Sequence, residues 1–337
     1  MRTDTRKALI ADIGGTNARL GLASAASHGL EAVRRLPCAD FPDLTSLLQH
    51  YLEQLRQLGL REPGHAWLAI AGPVEGDRVR LTNHDWEFSR PALAATLGID
   101  SLTLINDFIA QARGIPELAT ENIAAVLPGR ADPDRVCLVM GPGTGLGTAM
   151  LVPAASGWLT LPGEGGHVHF APTTPEEDGL LHRLRRHHRR VSVERLLSGN
   201  GLLALYRSLA EQQQAEPDLT NPAAITAAAD HDPLARRSVD LFLKILGDVA
   251  GDAALTTGAR GGVYLCGGIL PRLRTRLATS GFGAAFRNKG RMQGFMRDIP
   301  VWLVTDTEAG LLGAAAAWRE SLKADPVLRP AIPTTPD

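Results

Sequence analysis

Leu9-Ile10-Ala11-Asp12-Ile13-Gly14-Gly15-Thr16-Asn17-Ala18-Arg19-Leu20-Gly21-Leu22-Ala23 and Cys137-Leu138-Val139-Met140-Gly141-Pro142-Gly143-Thr144-Gly145-Leu146-Gly147-Thr148-Ala149-Met150-Leu151-Val152 carry one pattern twice. Each is an apolar run, a glycine-rich turn bearing a threonine, and a second apolar run. The pattern reads as strand, tight turn, strand, and alternation over residues 18–23 marks the second strand of the first hairpin. A repeated hairpin implies two related halves in one chain.

Outward from the first hairpin, residues 43–58 place Leu44, Leu47, Leu48, Leu52 and Leu55 at helical spacing. Residues 66–71 read as a buried strand ended by Gly72-Pro73, and 74–88 as turns and short strands. Ser89 is positioned to N-cap a helix over 91–97, with Pro91 in its first turn. Residues 102–105 form a strand closed by Asn106-Asp107, and a helix follows over about 108–114. The pattern then restarts with a strand at 136–140 that enters the second glycine turn. Residues 158–170 are polar and glycine-rich, and 192–209 and about 222–257 read as helices. A strand at 262–266 ends in Gly267-Gly268. A last strand at 299–305 precedes a small-residue helix at 308–319. Strands alternating with helices imply an α/β fold. The expected division is a small α/β lobe from 1–117 plus 302–325, a large α/β lobe from 118–301, and a flexible tail at 326–337.

A length of 337 residues suits two domains, and 44% hydrophobic content supplies two cores. A net charge of −1 leaves no global field, so neither nucleic acid nor a membrane is expected as a partner. Cys38, Cys137 and Cys266 are far apart and form no CxxC, which reads as buried, reduced thiols of a cytosolic protein. The first seven residues carry no apolar leader, and no apolar run approaches the roughly 18 residues of a membrane span. A cytoplasmic protein is expected.

The commonest phosphate-binding fingerprints fail. Lysine occurs only at Lys7, Lys244, Lys289 and Lys323, and no Gly-Lys dipeptide exists, so there is no GxxxxGK[ST] loop. Residues 141–147 miss GxGxxG because Leu146 takes the third glycine position. Both turns lead into strands, whereas those motifs lead into helices. Phosphates would instead meet turn N–H groups and the hydroxyls of Thr16 and Thr144, a nest-like arrangement that glycine permits. One such hairpin is ordinary. Two with matched threonines clamp a polyphosphate from two sides, which points to nucleotide-dependent phosphoryl transfer. Asp12, at a strand end beside the turn, suits Mg²⁺ held largely through water.

Together, Asp12-Ile13-Gly14-Gly15-Thr16-Asn17-Ala18-Arg19, Leu104-Ile105-Asn106-Asp107-Phe108, Gly143-Thr144-Gly145-Leu146-Gly147, Leu161-Pro162-Gly163-Glu164-Gly165-Gly166-His167 and Glu194-Arg195-Leu196-Leu197-Ser198-Gly199 resemble bacterial glucokinases. The likeness spans about residues 8–319 and is to the ATP-dependent proteobacterial group. The zinc-bearing relatives carry a cysteine-rich motif that this chain lacks. The resemblance implies a two-lobed actin-like ATPase (RNase H-like) fold with a central cleft, phosphorylation of glucose by ATP in the first step of glycolysis, and a homodimer. It assigns Ala11, Asp12, Ile13, Gly14, Gly15 and Thr16, with 141–147 and so Gly143, Thr144 and Gly145, to the phosphates. Gly267-Gly268-Ile269 falls near the nucleoside. Asn106, Asp107, Glu164, His167 and Glu194 fall on sugar-contacting positions, with Asp107 as the base. This chain departs from the family pattern at His169, where an acidic residue is common, at Asn200, where proline is common, and in the basic stretch 183–190.

Each residue also has a plainer reading. Asp107 suits the N-cap of the helix that follows it. Facing the nest with Asn106, it suits catalysis, and helix N–H groups are expected to keep it ionised. Glu164 and His167 stand three apart in a glycine-rich stretch fit for a polyol's hydroxyls. Zinc there would need further ligands, although His169 could join His167 on a strand. On pattern alone Glu194 reads equally as a first-turn acid of a helix. Arg183, Arg185, Arg186, Arg189 and Arg190 with His182, His187 and His188 read as a solvated helix face, since no aromatic stands among them. A kinase for another hexose, a sugar-sensing regulator and a filament-forming ATPase remain as alternatives. A regulator would need a DNA-binding segment and no Asp107, and a filament ATPase has no use for Glu164, His167 and Glu194.

Overall fold

In the computed structural model, residues 6–323 are described, apart from Pro73, Thr82, Asn83, Ser156 and Thr307. The tail expected at 326–337 lies outside the described residues. The chain divides into two units, one from 1–117 with 308–337 and one from 118–307.

The first unit is built on the first hairpin. Strands β1 (Lys7–Ile13) and β2 (Asn17–Ser24) pair antiparallel, with Asp12 opposite Arg19. β3 (Leu30–Pro37) adds to β2, and helix α1 (Leu44–Gln57) follows, its N-terminus capped by Asp43 on Ser46 N–H. β4 (His65–Ile70) lies parallel to β1. A small ribbon of β5 (Arg78–Arg80) and β6 (Glu87–Ser89) leads into α2 (Arg90–Leu97), which Ser89 caps as expected. β7 (Ser101–Asn106) runs parallel to β4 and passes directly into α3 (Asp107–Gly114). The sheet order is β3-β2-β1-β4-β7. The period of two in β1 sends Leu9, Ala11 and Ile13 to the core shared with α1. Ala8 and Ile10 go to the opposite core, with Ala110 and the chain's last helix. Burial on both faces is why β1 reads as an unbroken apolar run.

The second unit repeats the plan. β8 (Ile123–Leu127) precedes β9 (Cys137–Pro142), β10 (Leu146–Ala154) and β11 (Gly157–Gly163), a three-strand antiparallel meander. Helices α4 (Pro175–Arg185), α5 (Gly199–Gln212), α6 (Pro222–Ala228) and α7 (Pro233–Thr257) follow, then β12 (Gly262–Leu265). Short helices α8 (Arg274–Thr279), α9 (Phe282–Arg287) and α10 (Gln293–Arg297) lead to β13 (Val301–Val304). The order β11-β10-β9-β12-β13-β8 repeats the first sheet's arrangement and adds one strand. The final helix is α11 (Ala309–Ser321).

Several expectations need correction. The last strand does not return to the first sheet: β13 pairs with β12 and β8, so only α11 rejoins the first unit. Its four residues are fully apolar and lie between two partners, where they fit a central strand. The helix expected over 192–209 is a 3₁₀ turn at Val193–Arg195 and then α5, whose start is set by the Ser198 cap on Gly201 N–H. The long helix at 222–257 is two, since Asp232 caps a new start at Pro233. Residues 157–163 form strand β11, although the surrounding glycines read as loop.

Candidate functional site

In the first unit, alternation points Ala11 and Ile13 into the core, so they offer a ligand only backbone. Asp12 points the other way. Arg19 Nη1 donates to its Oδ2 at 3.3 Å, across the hairpin. Burial pushes the Asp12 carboxyl up from 3.8 to about 6; Arg19 opposes this and the neighbouring charge of Asp107 adds to it. The first turn of α11 lies alongside, for a Cβ on Gly310 would stand 2.9 Å from Asp12 Oδ2. Glycine there lets helix and carboxylate approach.

The turn 14–16 is held from behind. Gly14 N–H donates to Asn17 O at 3.1 Å, and Cys38 N–H donates to Thr16 O at 2.9 Å. His84 Nε2 lies 3.0 Å from Gly14 O, its ring stacked on Trp86 with centroids 4.5 Å apart. Gly15 and Thr16 are exposed at the tip.

Asn106 and Asp107 sit where β7 becomes α3. Asn106 Oδ1 accepts from Phe108 N–H at 3.0 Å and Ile109 N–H at 3.1 Å, and Asp107 Oδ1 accepts from Phe108 N–H at 2.8 Å. The cap is therefore Asn106, with Asp107 one residue inside. Burial raises the Asp107 carboxyl above its usual value, outweighing the backbone N–H groups that lower it. The helix N–H groups do favour the ionised form, as expected, but desolvation is the larger effect. Desolvation wins because the carboxylate is mostly withdrawn from water.

In the second unit, the turn 143–145 joins β9 to β10, closed by Gly143 N–H to Gly145 O at 2.8 Å. Gly199 N–H, at the start of α5, donates to Gly143 O at 2.9 Å. Glu194 lies in the 3₁₀ turn, and its Oε2 accepts from Leu146 N–H at 2.9 Å. Glu194 is thus a first-turn acid, though of a 3₁₀ turn and not of a long helix, and its carboxylate also braces the start of β10. Gly267, at φ 89°, packs against Pro142, where any side chain would collide with Pro142 O. Gly268 beside it is exposed.

Glu164 and His167 follow β11. His167 Nε2 is 3.6 Å from Glu164 Oε2, and both side chains are exposed. Thr148 pins this segment on both sides of Glu164: its Oγ1 donates to Gly163 O at 2.8 Å and accepts from Gly165 N–H at 2.9 Å. A short antiparallel pairing adds Phe170 N–H to Val191 O and Val193 N–H to Val168 O, which brings Glu194 beside the His167 segment.

The structure thus gathers Asp12, the turn 14–16, Asn106 and Asp107 within the first unit, and the turn 143–145, Gly267, Glu164, His167 and Glu194 within the second. Sequence reasoning missed the bracing residues Thr148, His84 and Gly310. The hairpin register holds the signal for Arg19. Nothing local marks the other three. Among the described residues, no group of three or more His, Cys, Asp and Glu side chains suits a metal ion. Among the same residues, no helix is long and apolar enough to cross a membrane.

Comparison with known proteins gives the family of the whole chain. The glucokinase family profile matches residues 9–321. The chain is 50% identical to the glucokinase of Chromohalobacter salexigens over 314 residues, covering 93% of this chain and 98% of the relative. Among solved structures, a glucokinase from an Antarctic psychrotroph superposes with a TM-score of 0.81 at 37% identity, covering 93% of this chain and 99% of that one. A Balamuthia mandrillaris glucokinase solved in complex with glucose gives 0.77 at 25% identity, covering 93% and 94%. The two sheets of matching order in this chain are those of an actin-like ATPase, and the chain belongs to the glucokinase family.

Proposed function

We propose that this chain transfers the γ-phosphoryl group of ATP to the 6-hydroxyl of glucose, with Asp107 accepting the hydroxyl proton. The half-buried Asp107 carboxylate carries the reading. Burial raises its proton affinity, which makes it a better base than a solvated aspartate, and the Phe108 N–H bond fixes its orientation. Phosphoryl transfer asks a protein mainly for positioning and charge neutralisation. The exposed turn residues Gly15, Thr16 and Thr144 offer N–H groups and hydroxyls to the phosphates, with Gly14, Gly143 and Gly145 beside them. Gly267 and Gly268 form the nucleoside wall. Asn106, Glu164, His167 and Glu194 hydrogen-bond the remaining hydroxyls of the sugar, Glu194 through Oε1.

Asp12 fits a divalent cation. Two carboxylates, Asp12 and Asp107, lie near enough to raise the proton affinity of Asp12, with Arg19 as counter-charge, so a cation relieves the excess. Mg²⁺ arriving with ATP would neutralise phosphate charge there, held by Asp12 chiefly through water. The buried cysteines suit a cytoplasmic enzyme of glycolysis, and the family resemblance extends the reading to a homodimer.

A coupled assay with ATP, Mg²⁺ and a panel of hexoses tests the function. Glucose should exceed galactose and mannose in kcat/KM by about tenfold or more, because each epimer leaves one polar partner of the sugar unpaired. Asp107→Asn should lower kcat by roughly 10²-fold or more while glucose still binds. Near-normal kcat in that folded variant, or equal use of all three sugars, would defeat the assignment.

A further inference from the structure

The basic stretch 183–190 is absorbed by nothing in the reading so far. Two of its arginines make surface contacts: Arg183 with Gln212 and Arg186 with Glu211. The last, Arg190, reaches elsewhere. Its Nη2 donates to the backbone carbonyl of His167 at 2.8 Å, and its Nε donates to His169 Nε2 at 3.2 Å.

The backbone explains that reach. His169 and Ser192 form an isolated antiparallel bridge, flanked by Phe170 N–H to Val191 O at 3.1 Å and Val193 N–H to Val168 O at 3.0 Å. Arg190 stands at the end of this short ladder. From there its side chain runs along the facing strand past His169 to His167, alternate residues on one face. Two bonds from one planar guanidinium fix a direction as well as a distance. On its other side the segment is pinned by Thr148 through Gly163 O and Gly165 N–H. Without Arg190, the carbonyl of His167 has no partner from the 190–193 strand.

We propose that Arg190 is a positioning residue that holds the His167 segment in place for the sugar. The proposal rests on the reading of Glu164 and His167 as sugar contacts. Arg190 acts through backbone and His169, and touches neither substrate.

The test is a kinetic comparison of Arg190→Ala, Arg190→Lys, His167→Ala and the double variant Arg190→Ala/His167→Ala. Arg190→Ala should raise the glucose KM about threefold to tenfold, the scale of one or two exposed hydrogen bonds, with the ATP KM and kcat within about twofold of wild type. Arg190→Lys should recover part of the loss, since an ammonium can serve the His167 carbonyl but not both acceptors in one plane. The double variant should be no worse than His167→Ala, because Arg190 works through that segment. An unchanged glucose KM in Arg190→Ala overturns the proposal, as does full additivity in the double variant. If His167→Ala also leaves the glucose KM unchanged, the sugar-contact reading falls and takes the proposal with it. A changed His167→Ala beside an unchanged Arg190→Ala defeats the positioning role alone.

Discussion

At the scale of single residues, the first unit places a costly charge where a ligand would offset it. Asp12 is half-buried, and its carboxyl is raised from 3.8 to about 6, chiefly by loss of water. The folded protein therefore holds this proton more tightly than the unfolded chain does. The stability so gained is complete below about pH 4 and is lost as the pH rises through 6. The difference amounts to about 3 kcal/mol at neutral pH. Asp12→Asn cannot ionise and escapes that loss. Without ATP or divalent cations, its melting temperature relative to wild type should climb between pH 4.5 and 7.5, while its kinase activity collapses. Thermal melts of both proteins across that range check this, and a gap that stays flat or shrinks with pH would contradict it. Asp12, Asn106 and Asp107 could be picked out in the sequence because strand ends and helix starts bear recognisable residues. The direction in which Asp107 shifts could not, since it depends on how much water the folded chain removes.

At the scale of elements, the hairpins were legible and their bracing was not. β1, β2, β9 and β10 follow from apolar runs either side of glycine turns. β11 escaped because glycines at 157, 163, 165 and 166 frame it and its outward residues, Leu159 and Leu161, are exposed. α5 starts later than its leucine spacing suggests because Ser198, capping Gly201 N–H, decides the boundary. Thr148 joins β10 to the Glu164 segment through a hydroxyl that donates to Gly163 O and accepts from Gly165 N–H. Thr148→Val keeps the shape and removes both bonds, leaving a partly buried carbonyl and N–H without partners. It should cost about 1–3 kcal/mol in denaturant unfolding and raise the glucose KM, with the ATP KM little altered. Thr148→Ser should restore most of both. If the valine variant matches wild type in both measurements, the hydroxyl does not organise this segment.

At the scale of the whole molecule, the sequence order decides which unit can be completed first. Residues 118–306 contain every strand of the second sheet in one continuous run. The first unit is discontinuous: its sheet is complete at Asn106, yet one face stays uncovered until α11 arrives two hundred residues later. The boundary was misplaced in the sequence reading because β13 and α11 are neighbours in the chain and both strongly apolar, so they read as one strand–helix step. Pairing partners, which no local pattern encodes, separate them. α11 covers Ala8, Ile10 and Ala110 with Leu311, Ala314, Ala315 and Trp318, the last only 1% exposed. It is tied at its far end by Arg113 to Glu320, and by Arg319 to the carbonyls of Ser24 and Gly29. Trp318→Ala removes the largest fully buried side chain in that face and should cost about 3–5 kcal/mol. The loss should be local to the first unit. Hydrogen exchange read by mass spectrometry should show weakened protection in β1, β4 and α3, with β9, β10 and β12 near wild type. Equal loss of protection in both sheets would mean that α11 stabilises the chain as one cooperative body, and unchanged stability would mean that the face tolerates a cavity.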